Sequence, residues 1–141
     1  MDIASMTLTG LFVWSSVATS SALTQQANVP AVIEPVAPLT VEDPAIIKKL
    51  VEGEFGRGHI MVQIARCESQ YRQFVDGNVL RGKVNKKDAG IFQINEGYHL
   101  AIAKKMEIDI HTIEGNLAYA RHLYETKGTA PWKWSKPCWG K

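Results

Sequence analysis

HIMVQIARCESQY, residues 59–71, is the stretch on which the fold of this chain turns. At about 100° per residue, Ile60 sits at 0°, Ile64 at about 40°, Met61 at about 100° and Cys67 at about 340°. That spacing predicts a helix from about His59 to Glu68 with these four residues as its buried stripe. Gln63 and Arg66 fall on the opposite side. Glu68 falls at about 80°, inside the stripe. A carboxylate there is costly unless it is paired, hydrogen-bonded or protonated. Periodicity leaves two readings open: a carboxyl held in an apolar setting, or a helix that ends at Cys67 and turns Glu68 to solvent.

Working outward, residues 75–95 read VDGNVLRGKVNKKDAGIFQIN. Asp76-Gly77 and the segment Asn85–Asp88 carry turn chemistry, and short apolar pieces lie between them. We expect a small β-hairpin or an irregular loop here. Upstream, Asp43-Pro44 reads as a helix start, with Asp as cap and Pro at the first helical position. Ala45, Ile46, Ile47, Leu50 and Val51 form its apolar face, and Gly53, Gly56 and Gly58 break it. Downstream, Asn95 is positioned to cap a helix through Tyr98, Ala101, Ile102 and Met106. A last helix is expected from near Thr112, with Ile113, Leu117, Ala120 and Tyr124 in phase and Gly128 as its stop. The tail from Ala130 carries Trp132, Trp134 and Trp139. The fold class is mainly α (α+β).

The 141 residues allow one ordinary domain with a leader. Met6–Ala22 has a short apolar centre, Leu11–Trp14, followed by small residues, which reads as a secretory leader over residues 1–22. It is too short and too rich in Ser and Thr for a membrane-spanning helix. Residues 23–40 include Pro30, Pro35 and Pro38 and read as an extended tether. The folded domain is expected over 41–141. That part holds all 16 basic residues and 12 of the 14 acids. Its modest positive charge suits an anionic polymer, and no basic helix points to nucleic acid. Cys67 and Cys138 have no metal or redox spacing. In a secreted chain they read as one disulfide tying the tail to a helix, and in a reducing compartment as two free thiols. His59, His99, His111 and His122 form no metal pattern, and the glycines form no phosphate loop. No cofactor and no metal are expected.

Two segments together carry a resemblance: ARCESQY (65–71) and DAGIFQIN (88–95), about twenty residues apart. A Glu-Ser pair followed by Gly-apolar-apolar-Gln-apolar is similar to soluble lytic transglycosylase (SLT) domains. The Asp two residues before that Gly, and the closing Gln-Ile-Asn, resemble c-type lysozymes more closely still. The late Trp-x-Trp and final Cys resemble resuscitation-promoting factors, in which a late cysteine bridges back to the catalytic helix. The likeness spans about residues 44–139.

The resemblance implies a lysozyme-like fold with its small β element beside the catalytic helix. It implies cleavage of the MurNAc–GlcNAc β-1,4 bond of peptidoglycan, with Glu68 as catalytic acid. A Glu with an ordinary value near 4.3 is ionised at neutral pH, so such an acid must have its pKa raised. Raised values by burial are best known from a lysozyme, a member of the group that this chain resembles. Asp88 stands where a second carboxylate acts as nucleophile or stabiliser in hydrolytic lysozymes. Its plain alternative is a turn residue. Gln93 and Asn95 are candidates for the sugar amides and hydroxyls, or else a strand-facing amide and a helix cap. Ser69 is expected to orient Glu68 or cap the helix end. Asn116 matches an Asn of the transglycosylase pattern, or makes an N-terminal helical hydrogen bond. Tyr71, Tyr98, Trp132 and Trp134 are candidates for stacking on sugars, or core residues.

We expect a lytic transglycosylase, with a hydrolytic lysozyme (muramidase) using Asp88, or a non-catalytic wall-binding module, as alternatives. The expected partner is the glycan strand, met by a monomer that is secreted, periplasmic or wall-associated. Nucleic-acid partners and a membrane span are not expected.

Overall fold

A computed structural model of the chain describes residues 41–141. The leader and tether expected at 1–22 and 23–40 lie outside the described residues. The architecture is mainly helical with two small antiparallel hairpins. Helix α1 (Pro44–Phe55) starts as expected, Asp43 accepting from the Ala45 amide at 2.8 Å with Pro44 in the first turn. It buries Ile47 and Val51 and leaves Ile46 exposed. The helix continues through Gly53 and stops at Gly56.

Helix α2 (Ile60–Ser69) is capped by His59, whose Nδ1 accepts from the Met61 amide at 3.2 Å. Gln63 and Arg66 face solvent, as the periodicity requires. The buried arc differs from the expected stripe. It comprises Met61, Val62, Ile64, Ala65 and Ser69, while Ile60 and Cys67 are only half-buried. The arc is rotated because α2 packs against α1 on one flank and carries Cys67 at its edge, bridged to Cys138. Val62 and Ala65 lie at about 200° and 140°, so Glu68 at about 80° stays within the buried arc.

Ser69 closes this helix. Its hydroxyl donates to the Ala65 carbonyl at 3.2 Å and accepts from the Arg72 amide at 3.1 Å. Gln70 and Tyr71 follow, both with left-handed backbone (φ 56° and 60°), and reverse the chain.

Strands β1 (Phe74–Val75) and β2 (Asn78–Val79) pair Phe74 with Val79 and Val75 with Asn78. Their turn is Asp76-Gly77, with both residues at positive φ, as a two-residue turn matched to strand twist demands. Strands β3 (Asp88–Ala89) and β4 (Ile94–Asn95) pair Asp88 with Asn95 and Ala89 with Ile94. The β element is therefore two hairpins rather than one. An isolated bridge between Arg81 and Ala89 links them.

Two buried amides hold the β3–β4 turn against the helices. Gln73 Oε1 accepts from the Ile91 amide at 2.9 Å, and its Nε2 donates to the Ile110 and His111 carbonyls. Asn116 Oδ1 accepts from the Phe92 amide at 3.0 Å, and its Nδ2 donates to the Ala89 and Ile110 carbonyls. Gly90, at φ 71°, lies between them. A Cβ there would collide with Gln73 Oε1 and the Asn116 amide, so the turn requires glycine. Both amides are fully buried, and among the described residues no buried side-chain N or O lacks a partner. Asn116→Ala is expected to lower stability by about 3 kcal/mol, because it takes the side-chain partner from the buried Phe92 amide and Ala89 carbonyl, while the Ile110 carbonyl keeps Gln73. Chemical denaturation would measure this, and a loss below about 1 kcal/mol would show that the turn is held by other contacts.

Helix α3 (Glu96–Lys105) buries only Ala103. Tyr98, Ile102 and Met106, in phase along one face, are exposed. Helix α4 (Ile113–Lys127) runs through the core, capped by Thr112 and burying Ile113, Leu117, Tyr119, Ala120 and Leu123. The tail forms a 3-10 helix (Ala130–Ser135) and a short helix α5 (Lys136–Trp139), stapled to α2 by the Cys67–Cys138 disulfide. No helix among the described residues is long and apolar enough to cross a membrane.

Candidate active site

The last turn of α2 delivers Glu68 to the floor of a cleft of about 640 Å³. Hairpin β3–β4 supplies Asp88, Gln93 and Asn95. The tail supplies Trp132 and Trp134, and α3 supplies Tyr98 and His99. A second cleft of about 330 Å³ also contains Glu68, Asp88 and Gln93, together with Ser69 and Arg72. Because both clefts share Glu68, Val84, Asn85, Asp88 and Gln93, they are two arms of one groove that meet at the carboxyls.

Burial holds the Glu68 carboxyl above its ordinary range. A hydrogen bond from Ser135 works in the opposite direction, and the neighbouring Asp88 charge adds to the rise. Ser135 Oγ lies 2.5 Å from Glu68 Oε1, 3.1 Å from the Trp132 carbonyl and 2.9 Å from the Trp139 indole nitrogen, which donates to it. A hydroxyl has one hydrogen to give. With Glu68 ionised, Ser135 donates to the carboxylate. With Glu68 protonated, the carboxyl O–H donates to Ser135 Oγ, and the Ser135 hydroxyl turns its own hydrogen to the Trp132 carbonyl. Both charge states of Glu68 are therefore hydrogen-bonded.

Asp88 is held by Asn95, whose Nδ2 donates to Oδ1 at 2.6 Å. That bond explains why Asn95 heads α3 without a side-chain cap. Gln93, at φ 48°, folds back so that its Nε2 donates to the Gly90 carbonyl at 2.8 Å. Trp132 is buried, its indole donating to the Phe92 carbonyl at 2.9 Å while the residue borders the cleft. Trp134 is 86% exposed at the cleft, with the Lys133 ammonium 5.1 Å from its ring centre. Tyr98 is also exposed there.

Glu68, Asp88, Gln93, Asn95, Trp132 and Trp134 thus share one groove. Tyr71 and Asn116 do not. The left-handed reversal turns Tyr71 against the core, where Lys48 and Glu52 of α1 are its charged neighbours. Asn116 is sealed inside, with its amide committed to the β3–β4 turn. Ser69 borders the second arm, but its hydroxyl closes the helix; the hydroxyl on Glu68 belongs to Ser135.

Sequence reasoning missed two residues here. Ser135 lies 67 positions from Glu68 and sits in no motif. His99 lines the first arm and is held by Tyr119 through Nδ1 at 3.2 Å. Burial, then Lys127 and His122, push its pKa down, so the ring is neutral at neutral pH. The one signal in the sequence was for Ser135, which lies among the three tryptophans of the tail. A scan against protein-family profiles and searches of curated proteins and of solved structures return no match to this chain.

Proposed function

We propose that this chain is a peptidoglycan-cleaving enzyme of lysozyme-like fold that breaks the MurNAc–GlcNAc β-1,4 bond, with Glu68 as general acid. The observation that carries this reading is a carboxyl whose pKa burial raises, at the meeting point of a two-armed groove. A groove open on both sides of the acid suits a polymer cut internally. Glu68 gives its proton to the leaving oxygen, and Ser135 then steadies the carboxylate. Exposed Trp134 and Tyr98 offer faces for sugar rings, and Gln93 and Asn95 offer amides.

The motif resemblance favours a lytic transglycosylase, in which the substrate's own N-acetyl group assists and a 1,6-anhydro end forms. A second reading, hydrolysis, is favoured by Asp88, whose charge acts on Glu68 inside the same groove. Muropeptide mass analysis tests activity and route together, since the anhydro product is one water lighter than the hydrolytic one. Absence of any cleavage product would leave a glycan-binding module. The Cys67–Cys138 bridge supports an oxidising compartment, and with it a secreted or periplasmic location.

Ser135→Ala is expected to move the alkaline limb of the pH–rate profile upward. The Ser135 hydrogen bond lowers the Glu68 pKa, so its loss keeps the acid protonated to higher pH. Turnover at the optimum is expected to fall about tenfold, because the developing carboxylate loses a donor. A simple loss of folded enzyme would lower the whole profile without moving that limb. Ser135→Thr is expected to restore it.

A further inference from the structure

The two arms of the groove differ in chemistry. The first is bordered by Tyr98, Trp132, Trp134 and Pro131, with Lys133 as its one Lys or Arg. The second has no aromatic lining residue and presents Arg72, Arg81 and Lys83. The loop between β2 and β3 reads RGKVNKK from Arg81 to Lys87, with four cations and no acid in seven residues. This loop is packed down on the site: a side chain at Gly82 would meet the Asn85 carbonyl and Gln93 Oε1. The loop backbone at Gly82 thereby lies against Asp88 and Gln93. Arg81 is paired with Glu96 at 2.5 Å, and Arg72 bonds the Ser69 carbonyl at 3.0 Å. Lys83 is exposed on the wall of the second arm. Among the lining residues, Glu68 and Asp88 are the two acids against these three cations.

A neutral sugar gives a cationic wall nothing to pair with. A carboxylate displayed at fixed intervals along the strand does. Resting on the peptidoglycan reading above, we propose that the second arm is a site for carboxylates carried on the lactyl arm of muramic acid. Two sources share that chemistry: the lactyl carboxylate itself, or the carboxylates of a peptide attached through it. Strands enter with their anionic substituents against Lys83 and Arg72, while the first arm takes the sugar faces.

Calorimetric binding to the Glu68→Gln protein separates this from turnover. Three strands are compared: neutral GlcNAc oligosaccharides, glycan stripped of peptide by an amidase, and peptide-bearing glycan. The affinity ratio of anionic to neutral strands is expected to fall about threefold on adding Lys83→Gln and about tenfold on adding Lys83→Glu, and to shrink at high salt. The peptide's amide bond consumes the lactyl carboxylate, so a fall confined to peptide-bearing strands assigns the peptide carboxylates, a fall confined to stripped strands assigns the lactyl carboxylate, and a fall in both assigns the arm to either source. An unchanged ratio in both folded variants overturns the proposal while leaving wall cleavage by the wild type intact. Binding to none of the three, with no wall lysis by the wild type, overturns both.

Discussion

Glu68→Gln is expected to reduce release of muropeptides from purified peptidoglycan by about three orders of magnitude, the contribution of a well-placed general acid. The substitution keeps the shape of the side chain. Its amide oxygen still accepts from Ser135, so the tail stays in place. What is lost is the proton. The same variant should be more stable than the wild type at alkaline pH. Burial raises the Glu68 pKa above its unfolded value, so the folded state holds this proton more tightly. The carboxyl's favourable contribution is thus complete below the unfolded value and disappears as pH rises through the folded value. Glutamine, always neutral, avoids the loss. Thermal melts at acid and alkaline pH should converge at the acid end and separate at the alkaline end. Equal turbidity loss in wild type and variant would sink the enzymatic reading, and equal melts at every pH would sink the buried-acid account.

Cys138→Ser is expected to cost about 4 kcal/mol of stability. The bridge closes a loop between residues 71 apart, and opening it restores that conformational freedom to the unfolded chain. For a domain of about 100 residues this lowers Tm by about 20 °C. The effect reaches the site, because the bridge anchors the helix that carries Trp139 beside Ser135. Turnover is therefore expected to fall even where the variant remains folded, with the alkaline limb displaced as in Ser135→Ala. Wild-type protein treated with a thiol reductant should match the variant. A Tm within about 3 °C of wild type would show that tail packing, led by Trp132 against Phe92, holds this region without the bridge.

The helix starts at Asp43-Pro44 and Thr112 were legible because caps are local: a side chain bonds an amide two or three residues away. The Asp76-Gly77 turn was legible for the same reason. The Tyr98–Met106 stripe misleads as a core signal. Its periodicity marks one face of α3, but a hydrophobic stripe does not say whether anything packs against it. Here Tyr98 borders the groove, and only Ala103 is buried.

Asn116 and Tyr71 show the converse limit. The sequence offered both as groove residues. Asn116 is instead drawn inside by three backbone groups, two of them from the distant β3–β4 turn, and Tyr71 is turned away by a two-residue left-handed reversal. Neither partner set can be counted from spacing.

By itself, the sequence determined where Glu68 falls on its helix, at about 80° between Ile64 and Met61, since helical phase depends only on position along the chain; it left open whether that face is covered. Tertiary structure alone decided how that carboxyl is served. It rotated the arc toward Val62 and Ala65, brought Asp88 into the same groove, and laid Ser135 on Glu68 from 67 residues away. Those relations arise where separate elements pack. The pKa of a buried acid is set by whatever surrounds it in space, not by its neighbours in sequence.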